Sequence, residues 1–331
     1  MKTALQFLAA APFFFPVVSA PADSAPAGKS DAAPRRLSSW GSGAGSVIVD
    51  DIPDSGSDLG SGVEYWPAEE VFLVLDNNAK NLRRVTPAGT QKGGPLALTH
   101  FWDPEEIRLI DAASNTFAIS QEYQGDDKPN EIVVIKIPPG ADAVDRNDAI
   151  RVLRPVLSDD GQTEAGKDRN KGYEAMAYRD GQFYFCLEKQ PVLESTPGFW
   201  NVWSVPNAGG GGTTPATPAA RLVFPLAPVL TGRTTDVASM CFTPWGTLIL
   251  GCDEGTGTLP DSRKIQAGRL IEVTLRGQLV DDSPPPVLNN GHHLRQLEGI
   301  CFRAATATNP LQFVITGEPD QTPGTDWMVL E

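Results

Sequence analysis

Five segments of the chain share one pattern of apolar and polar positions. Each begins with a small or acidic residue, continues through a small residue and apolar positions, turns at Gly, Pro, Asp or Asn, and ends with an apolar strand and an acidic residue. The segments are 61–78, 104–123, 170–191, 237–255 and 297–320. Strand-length apolar patterns broken by turn residues are typical of β-hairpins. The sequence therefore predicts five related hairpins.

Further strand-like runs follow each hairpin. Third strands are predicted at 82–85, 131–137, 201–205, 269–275 and 326–331, and fourth strands at 95–100, 149–157, 221–226 and 284–288. The fifth repeat lacks a fourth strand, which residues 46–51 can supply. Successive repeats begin roughly 45 to 70 residues apart, the size of a propeller blade with loop insertions. We therefore expect an all-β fold, a β-propeller of five blades with six as the alternative, closed by an N-terminal strand.

The segments outside the repeats predict a processed N-terminus. Residues 1–22 combine Lys2, a continuous apolar run and small residues ending at Ala20 or Ala22, the layout of a cleaved secretory signal. We expect secretion or another extracytoplasmic location, with bipartite organelle targeting as the alternative, and no transmembrane anchor. Residues 23–45 are predicted to be a disordered leader, 46–331 a single propeller domain, and 207–220 a disordered loop within it.

Net charge and cysteine content limit the kinds of partner and metal site that the sequence supports. A formal net charge of -14 argues against nucleic acid, because a basic footprint is missing. The four cysteines lie in apolar runs, and we interpret them as buried thiols rather than disulfides or metal ligands. We expect a monomer whose unidentified partner, a small molecule or a protein, binds at the channel face.

Four motifs resemble those of the SdiA-regulated propeller family, a distant relative of NHL-repeat proteins. They are "SGVEYWPAEEVFLVLDNNAKNLRRV", "WDPEEIRLI", "NKGYEAMAY" followed by "LEKQP", and "QLEGICF". Gluconolactonase-like, strictosidine-synthase-like and esterase-like phytase propellers share such motifs singly, and their order and combination favour this family. The resemblance implies five blades and a bound calcium ion, without an established enzymatic activity. Three positions depart from the pattern: Ser61 and Ala238 replace acidic residues, and Glu106 replaces a glycine.

Three glutamates head predicted innermost strands, which line the central channel of a propeller. Glu105, Glu174 and Glu298 should therefore converge at one mouth of the channel, where like charges raise one another's pKa unless a cation compensates. Calcium suits such a mouth because it takes six to eight oxygen ligands without strict geometry. Glu122, Glu188 and Glu318 end second strands and are candidate further ligands. For any one of these strand-ending acids, a solvated turn is the alternative interpretation.

Two other function classes remain open from the sequence. A hydrolase acting on esters, lactones or phosphoesters would use the same calcium ion to polarise an oxygen, with Glu188 as a candidate base. His292 and His293 are weaker catalytic candidates, because a histidine pair in a polar loop is more often solvated. A pure binding scaffold is the third class, since a fold alone does not determine function.

Overall fold

The computed structural model describes most of the chain outside its N-terminal segment. The described residues are 34–40, 47–49, 60–125, 127–157, 172–187, 201–231, 233–234, 237–252, 268–283, 296–307, 309–318 and 326–331. They form five separate β-sheets, which are antiparallel except for one short parallel pairing at the edge of two of them, arranged as the blades of a β-propeller. This confirms the predicted fold class and selects five blades over six.

Blades 1 and 2 follow the predicted order and each gain a fifth strand. The N-terminal strand is β1 (Val47–Val49). Blade 1 contains β2 (Gly62–Trp66), β3 (Val71–Asp76), β4 (Asn81–Val85) and β5 (Leu96–Thr99). The next three strands, β6 (Pro104–Asp111), β7 (Thr116–Gln121) and β8 (Glu131–Lys136), belong to blade 2. The chain then returns to blade 1 with β9 (Ala143–Asp145). Blade 2 also contains β10 (Arg151–Leu153) and, as its fifth strand, β14 (Pro215–Ala216). Strand β9 joins β5 in parallel, a pairing that the sequence pattern did not predict.

Blades 3 to 5 complete the ring. Blade 3 contains β11 (Tyr173–Arg179), β12 (Gln182–Leu187), β13 (Asn201–Pro206) and, after β14 (Pro215–Ala216), β15 (Arg221–Pro225). The short helix α1 (Ala227–Leu230) leads to blade 4, with β16 (Ser239–Phe242), β17 (Leu248–Cys252), β18 (Arg269–Val273) and β19 (Leu279–Ser283). Blade 5 contains β20 (Gln296–Arg303), β21 (Gln312–Glu318) and β22 (Asp326–Leu330).

The N-terminal strand closes the ring as predicted. Strand β1 pairs antiparallel with β22, so that Ile48 lies opposite Met328. The first and last parts of the chain thus form one sheet, which leaves no gap between blades 5 and 1. Sealing of the ring by backbone hydrogen bonds is a common way for propellers to protect strand edges.

Two details of the predicted strands are wrong. The fourth strand of blade 4 is β19, at residues 279–283, rather than 284–288, which lies outside the described residues. The predicted loop 207–220 contains β14, which pairs in parallel with β10 and covers the outer edge of blade 2. Such an edge pairing needs only two or three residues. A strand this short within a glycine- and proline-rich segment cannot be predicted from composition.

Both faces of every blade are buried, because each sheet packs against two neighbours. Five clusters of buried apolar side chains fill the spaces between blades 1 and 2, 2 and 3, 3 and 4, 4 and 5, and 5 and 1. In β3 every residue is buried, which explains its continuous apolar run in place of strict alternation. The four cysteines form no disulfide and are buried within these clusters, as predicted.

Residues 34–40 also contribute to the core. They include a short 3-10 helix, Leu37–Ser39, and lie within the region predicted as a leader. Leu37 and Trp40 are buried between blades 4 and 5, where the Trp40 ring lies 5.7 Å from the ring of Phe302 and 5.8 Å from that of Phe313. The Leu37 amide donates a hydrogen bond to the Asp281 carboxylate of β19 at 2.8 Å. This segment therefore packs as part of the propeller.

Candidate metal centre at the channel mouth

The first hairpin of blade 2 brings three carboxylates together. Asp103 immediately precedes β6, Glu105 is its second residue, and Glu122 directly follows β7. One oxygen of each carboxylate lies within 4.8 Å of the others, and Glu105 and Glu122 are each only 4% exposed. We refer to Asp103, Glu105 and Glu122 as the mouth cluster. Such spacing leaves room for one cation between the oxygen atoms.

Backbone hydrogen bonds fix the mouth cluster. The Glu122 amide donates to the Asp103 carbonyl oxygen at 2.8 Å, which closes the open end of the hairpin. The Gly172 amide, just before the innermost strand of blade 3, donates to Glu122 Oε1 at 2.6 Å. A Cβ atom on Gly172 would lie 2.2 Å from Glu122 Cγ, so only glycine permits this approach. Glu122 thus joins blade 2 to blade 3.

All three glutamates predicted to converge lie at irregularities in the innermost strands. The strand register shifts between Pro104 and Ile107, between Tyr173 and Ala175, and between Leu297 and Gly299, which places Glu105, Glu174 and Glu298 at β-bulges. The corresponding strands of blades 1 and 4, which begin near Ser61 and Ala238, pair without a shift. Bulges redirect a side chain and are common beside functional sites. In this protein the bulges occur in the three repeats that begin with a glutamate.

The electrostatic environment of Glu105 is unfavourable to its charge. Burial and the negative charges of Asp103, Glu122 and Glu298 raise the pKa of the Glu105 carboxyl well above its usual value. The Asn77 side chain, which donates to Glu105 Oε2 at 3.2 Å, opposes this shift. Among the described residues, no arginine, lysine or histidine forms an ion pair with Glu105. A bound cation would remove this electrostatic strain.

The donor set fits a hard divalent cation. It consists of carboxylate oxygens, with the Asn77 amide at its edge, and the cluster itself contains neither histidine nor cysteine. Calcium and magnesium prefer such oxygen ligands, whereas zinc sites are usually built from cysteine and histidine. Calcium tolerates irregular geometry and a high coordination number, which suits ligands drawn from several loops.

The structure brings together part of the predicted ligand set. Glu105 and Glu122 lie in the mouth cluster, and Glu298 is close enough to raise the pKa of Glu105. Glu174 is partly buried on the adjoining innermost strand, and its amide donates to the Gly172 carbonyl oxygen at 3.1 Å. Glu318 ends β21 opposite Gln296, with only its backbone described. Glu188, His292 and His293 lie outside the described residues.

Asp103 was missed by the sequence analysis. Its position in the sequence could have predicted it, because Asp103 directly precedes Pro104 and Glu105 at the start of the hairpin that ends at Glu122. Gln124 donates a side-chain hydrogen bond to Asp103 Oδ2. The adjacent Trp102 donates through Nε1 to the Glu122 carbonyl oxygen at 2.8 Å. The acidic residue before the repeat is therefore part of the mouth.

The fold and this mouth define a five-bladed β-propeller with an acidic cluster at one end of its channel. Residues 45–203 match the model of the SdiA-regulated family, which confirms the resemblance identified from the motifs. No curated protein matches the chain.

Several solved propellers resemble the structure at low sequence identity. An aldose sugar dehydrogenase from Escherichia coli is 10% identical, with 86% of this chain and 99% of that chain covered and a TM-score of 0.49. The allergen Mala s 1 from Malassezia sympodialis is 9% identical, with coverages of 86% and 96% and a TM-score of 0.49. A gluconolactonase from Xanthomonas campestris is 10% identical, with coverages of 83% and 87% and a TM-score of 0.45.

Within the described part of the chain, no helix has the length and apolar character needed to span a bilayer.

Proposed function

We propose that the protein is a calcium-binding β-propeller whose acidic channel mouth holds the ion and, through it, a ligand. The observation that carries this proposal is the mouth cluster, three carboxylates within 4.8 Å of one another, with the pKa of buried Glu105 raised well above its usual value. Buried carboxylates without a compensating cation destabilise a fold. A divalent ion between them would convert this repulsion into attraction.

Calcium is favoured over other metals by the chemistry of the donors. Calcium requires six to eight oxygen atoms, and Asp103, Glu105 and Glu122 supply the first of them. Glu298 and Glu174, on the innermost strands of blades 5 and 3, are further candidate ligands. Water and a ligand would complete the coordination sphere from the open side of the mouth.

The same arrangement supports a ligand site. The three clustered carboxylates come from a single blade, so part of the coordination sphere faces the channel mouth rather than protein. We therefore propose that oxygen atoms of a small molecule, or of a protein segment, bind the ion there. This partner remains chemically defined only as a donor of oxygen ligands.

The test is equilibrium dialysis of the purified protein against calcium after treatment with a chelator. We expect about one ion per chain, with an affinity between micromolar and millimolar. The double variant Glu105→Gln with Glu122→Gln should bind at least about 100-fold more weakly, and Glu174→Gln with Glu298→Gln at least about tenfold more weakly. Asp180→Asn is the matched control, since Asp180 is an exposed acid at a turn with a positive φ of 49°, which asparagine tolerates. Unchanged binding in both double variants would refute the site.

Calcium-dependent hydrolysis is a second candidate function, favoured by the open side of the coordination sphere. Metal catalysis of this kind needs a position for water or substrate beside the ion, where the metal polarises an oxygen and lowers the pKa of bound water. Turnover of an ester, lactone or phosphoester that disappears on chelation would support it. Binding of calcium without turnover across such a panel would favour the ligand-binding function.

We also propose that the protein acts outside the cytoplasm. Support comes from the secretory-signal layout of residues 1–22. Calcium concentrations are far higher in such compartments than in the cytosol, so a site of modest affinity would be filled there. Expression of the full chain fused to a reporter should give an exported product cleaved after Ala20 or Ala22, and retention of the uncleaved chain in the cytosol would contradict this.

A further inference from the structure

The centre of the channel contains a buried arginine that contacts every blade. Arg108, on β6, is 3% exposed. Its guanidinium donates to backbone carbonyl oxygens at 2.8 Å (Val63), 2.8 Å (Ile107), 2.7 Å (Met176), 2.6 Å (Met240) and 3.1 Å (Ile300). These five residues belong to β2, β6, β11, β16 and β20, the innermost strands of the five blades. One side chain therefore joins all five blades.

The five acceptors occupy one position of the sequence repeat. Each lies two residues after the head of its repeat, so the heads at 61, 105, 174, 238 and 298 predict the set. A guanidinium carries five N–H donors in a plane and no acceptor. All three nitrogen atoms of this group donate to the five carbonyl groups on the axis, and Nη2 is shared with the Glu106 carboxylate, whereas an ammonium group with three donors would satisfy fewer acceptors. The geometry is that of a cation site with its cation built in.

Glu106 completes this central site with a carboxylate. Its Oε2 atom accepts from Arg108 Nη2 at 2.7 Å and from the Ser239 hydroxyl at 2.5 Å, and the pair is almost entirely buried. Gly62 leaves the required space, because a Cβ atom there would lie 2.4 Å from Glu106 Oε1. The departure from the family pattern at Glu106 is thus matched by small residues at the same repeat position in neighbouring blades.

We propose that Arg108 is the permanent cation that ties the five blades together, and that the cation at the mouth is exchangeable rather than a structural tie. The first half stands on the hydrogen bonds of Arg108 alone. The second half rests on the proposed function. With the blades already joined on the axis, removal of the mouth cation leaves the ring closed, and the ion is available to bind and release with a ligand. The central site also blocks the channel below the mouth, so the ligand enters and leaves by the mouth.

The experiment compares thermal unfolding of wild-type protein, Arg108→Ala and Arg108→Lys, each with calcium and with a chelator. We expect chelated wild-type protein to keep its β-sheet circular dichroism and a cooperative transition. Arg108→Ala should melt far below wild type with or without calcium, and Arg108→Lys should be intermediate. Arg276→Ala, at an exposed turn, is the matched control and should melt within about 2 °C of wild type.

Chemical rescue separates a specific cation site from general loss of packing. The cavity in Arg108→Ala would still be lined by five carbonyl oxygens and the Glu106 carboxylate. Millimolar guanidinium should raise the melting temperature of Arg108→Ala, whereas an equal concentration of tetramethylammonium should not, and neither should raise that of Arg276→Ala. If Arg108→Ala fails to fold, the same comparison is made on Arg108→Lys, in which guanidinium should give no rescue because the ammonium group occupies the site.

The outcomes distinguish this inference from the proposed function. Calcium binding together with loss of cooperative unfolding on chelation would overturn the exchangeable role while leaving the calcium site intact. Near wild-type stability of Arg108→Ala would overturn the role of Arg108 as the tie. Absence of calcium binding would refute the proposed function and the second half of this inference, whereas guanidinium rescue would still support the first half.

Discussion

Glu105 and Glu106 are consecutive residues of one strand with opposite surroundings. Both are buried, at 4% and 0% exposure, and burial raises the pKa of both carboxyl groups. Glu106 points to the channel axis, where Arg108, the Ser239 hydroxyl and the Ile107 amide donate to it. Glu105 lies at the mouth, where Asp103, Glu122 and Glu298 add negative charge and the Asn77 amide is its donor. Among the described residues, Glu106 has a cationic partner in Arg108, whereas none forms an ion pair with Glu105.

This difference separates a structural site from a candidate functional site. A buried carboxylate that is paired and hydrogen-bonded contributes to a unique, rigid centre, as at Glu106. A buried carboxylate among other carboxylates costs stability in the absence of an ion, and proteins tolerate such a cost mainly at functional sites. The mouth is therefore the part of the ring expected to respond to calcium, and the axis the part expected not to.

The largest expected effect is the loss of the axial cation. Arg108→Met should lower the free energy of unfolding by about 3 to 5 kcal/mol, because it leaves the buried Glu106 carboxylate and five carbonyl groups without their donor. Denaturant unfolding monitored by tryptophan fluorescence measures this. The exposed control Arg276→Met should change stability by no more than about 0.5 kcal/mol. Equal stabilities of the two variants would show that Arg108 does not tie the blades together.

Replacement of Glu105 or Glu106 by glutamine should affect calcium affinity and the free energy of unfolding in different ways. Glu105→Gln should weaken calcium binding at least about 100-fold, since a direct ligand matters more than the outer-shell contacts that are worth 10- to 100-fold. At pH values above the raised pKa of Glu105, the same change should raise the stability of the calcium-free protein by about 1 kcal/mol, because it removes one of the repelling charges. Glu106→Gln should instead lower stability and leave calcium affinity within about threefold of wild type. Loss of calcium binding in Glu106→Gln and loss of stability in Glu105→Gln would contradict these roles.

Two glycines give a milder version of the same contrast. Gly62→Ala places a Cβ 2.4 Å from Glu106 Oε1, and Gly172→Ala places one 2.2 Å from Glu122 Cγ. Each should cost about 1 to 3 kcal/mol of stability through overpacking. Only Gly172→Ala should also weaken calcium binding, because it displaces a residue of the mouth cluster. Gly94→Ala is the control, since nothing lies within 4 Å of the added Cβ.

The smallest expected effect is a pH dependence of the calcium-free protein. The folded-state pKa of Glu105 is raised, so the folded protein binds more protons than the unfolded chain between the unfolded pKa, near 4.5, and the raised value. Its contribution to stability is thus fully present below that unfolded pKa and is lost as pH rises through the folded pKa. Thermal melts across pH should show this decline in wild type and a weaker decline in Glu105→Gln. Saturating calcium should remove the decline in wild type, because the bound ion favours the ionised Glu105 carboxyl, and should leave that of Glu105→Gln unchanged.

The repeat pattern predicted most of the fold. Five hairpin heads were enough to place the blades, and the orphan strand at residues 46–51 was correctly assigned to close the ring, as the pairing of β1 with β22 confirms. Long-range edge pairings were not predictable in the same way. Strands β9 and β14 are three and two residues long, and they form because an unpaired strand edge happens to lie beside them.

The sites were predictable only where the repeat itself carried the signal. Glu105, Glu122 and Glu298 were identified because they recur at fixed places in the hairpins, and the structure places them near one another. Asp103 lies just outside the repeat, and nothing in the pattern singled it out. Arg108 was missed because a single arginine in an innermost strand has no counterpart in the other blades, although its five acceptors do.

The most direct test is a calorimetric calcium titration of the chelator-treated protein in two buffers of different ionisation enthalpy. We expect binding accompanied by a net release of protons, because calcium binds the ionised form of Glu105 whereas the raised pKa favours the protonated form. Glu105→Gln should show neither the binding nor the release. No binding heat at millimolar calcium, or the same binding with the same proton release in Glu105→Gln, would contradict the assignment of the mouth cluster as a calcium site.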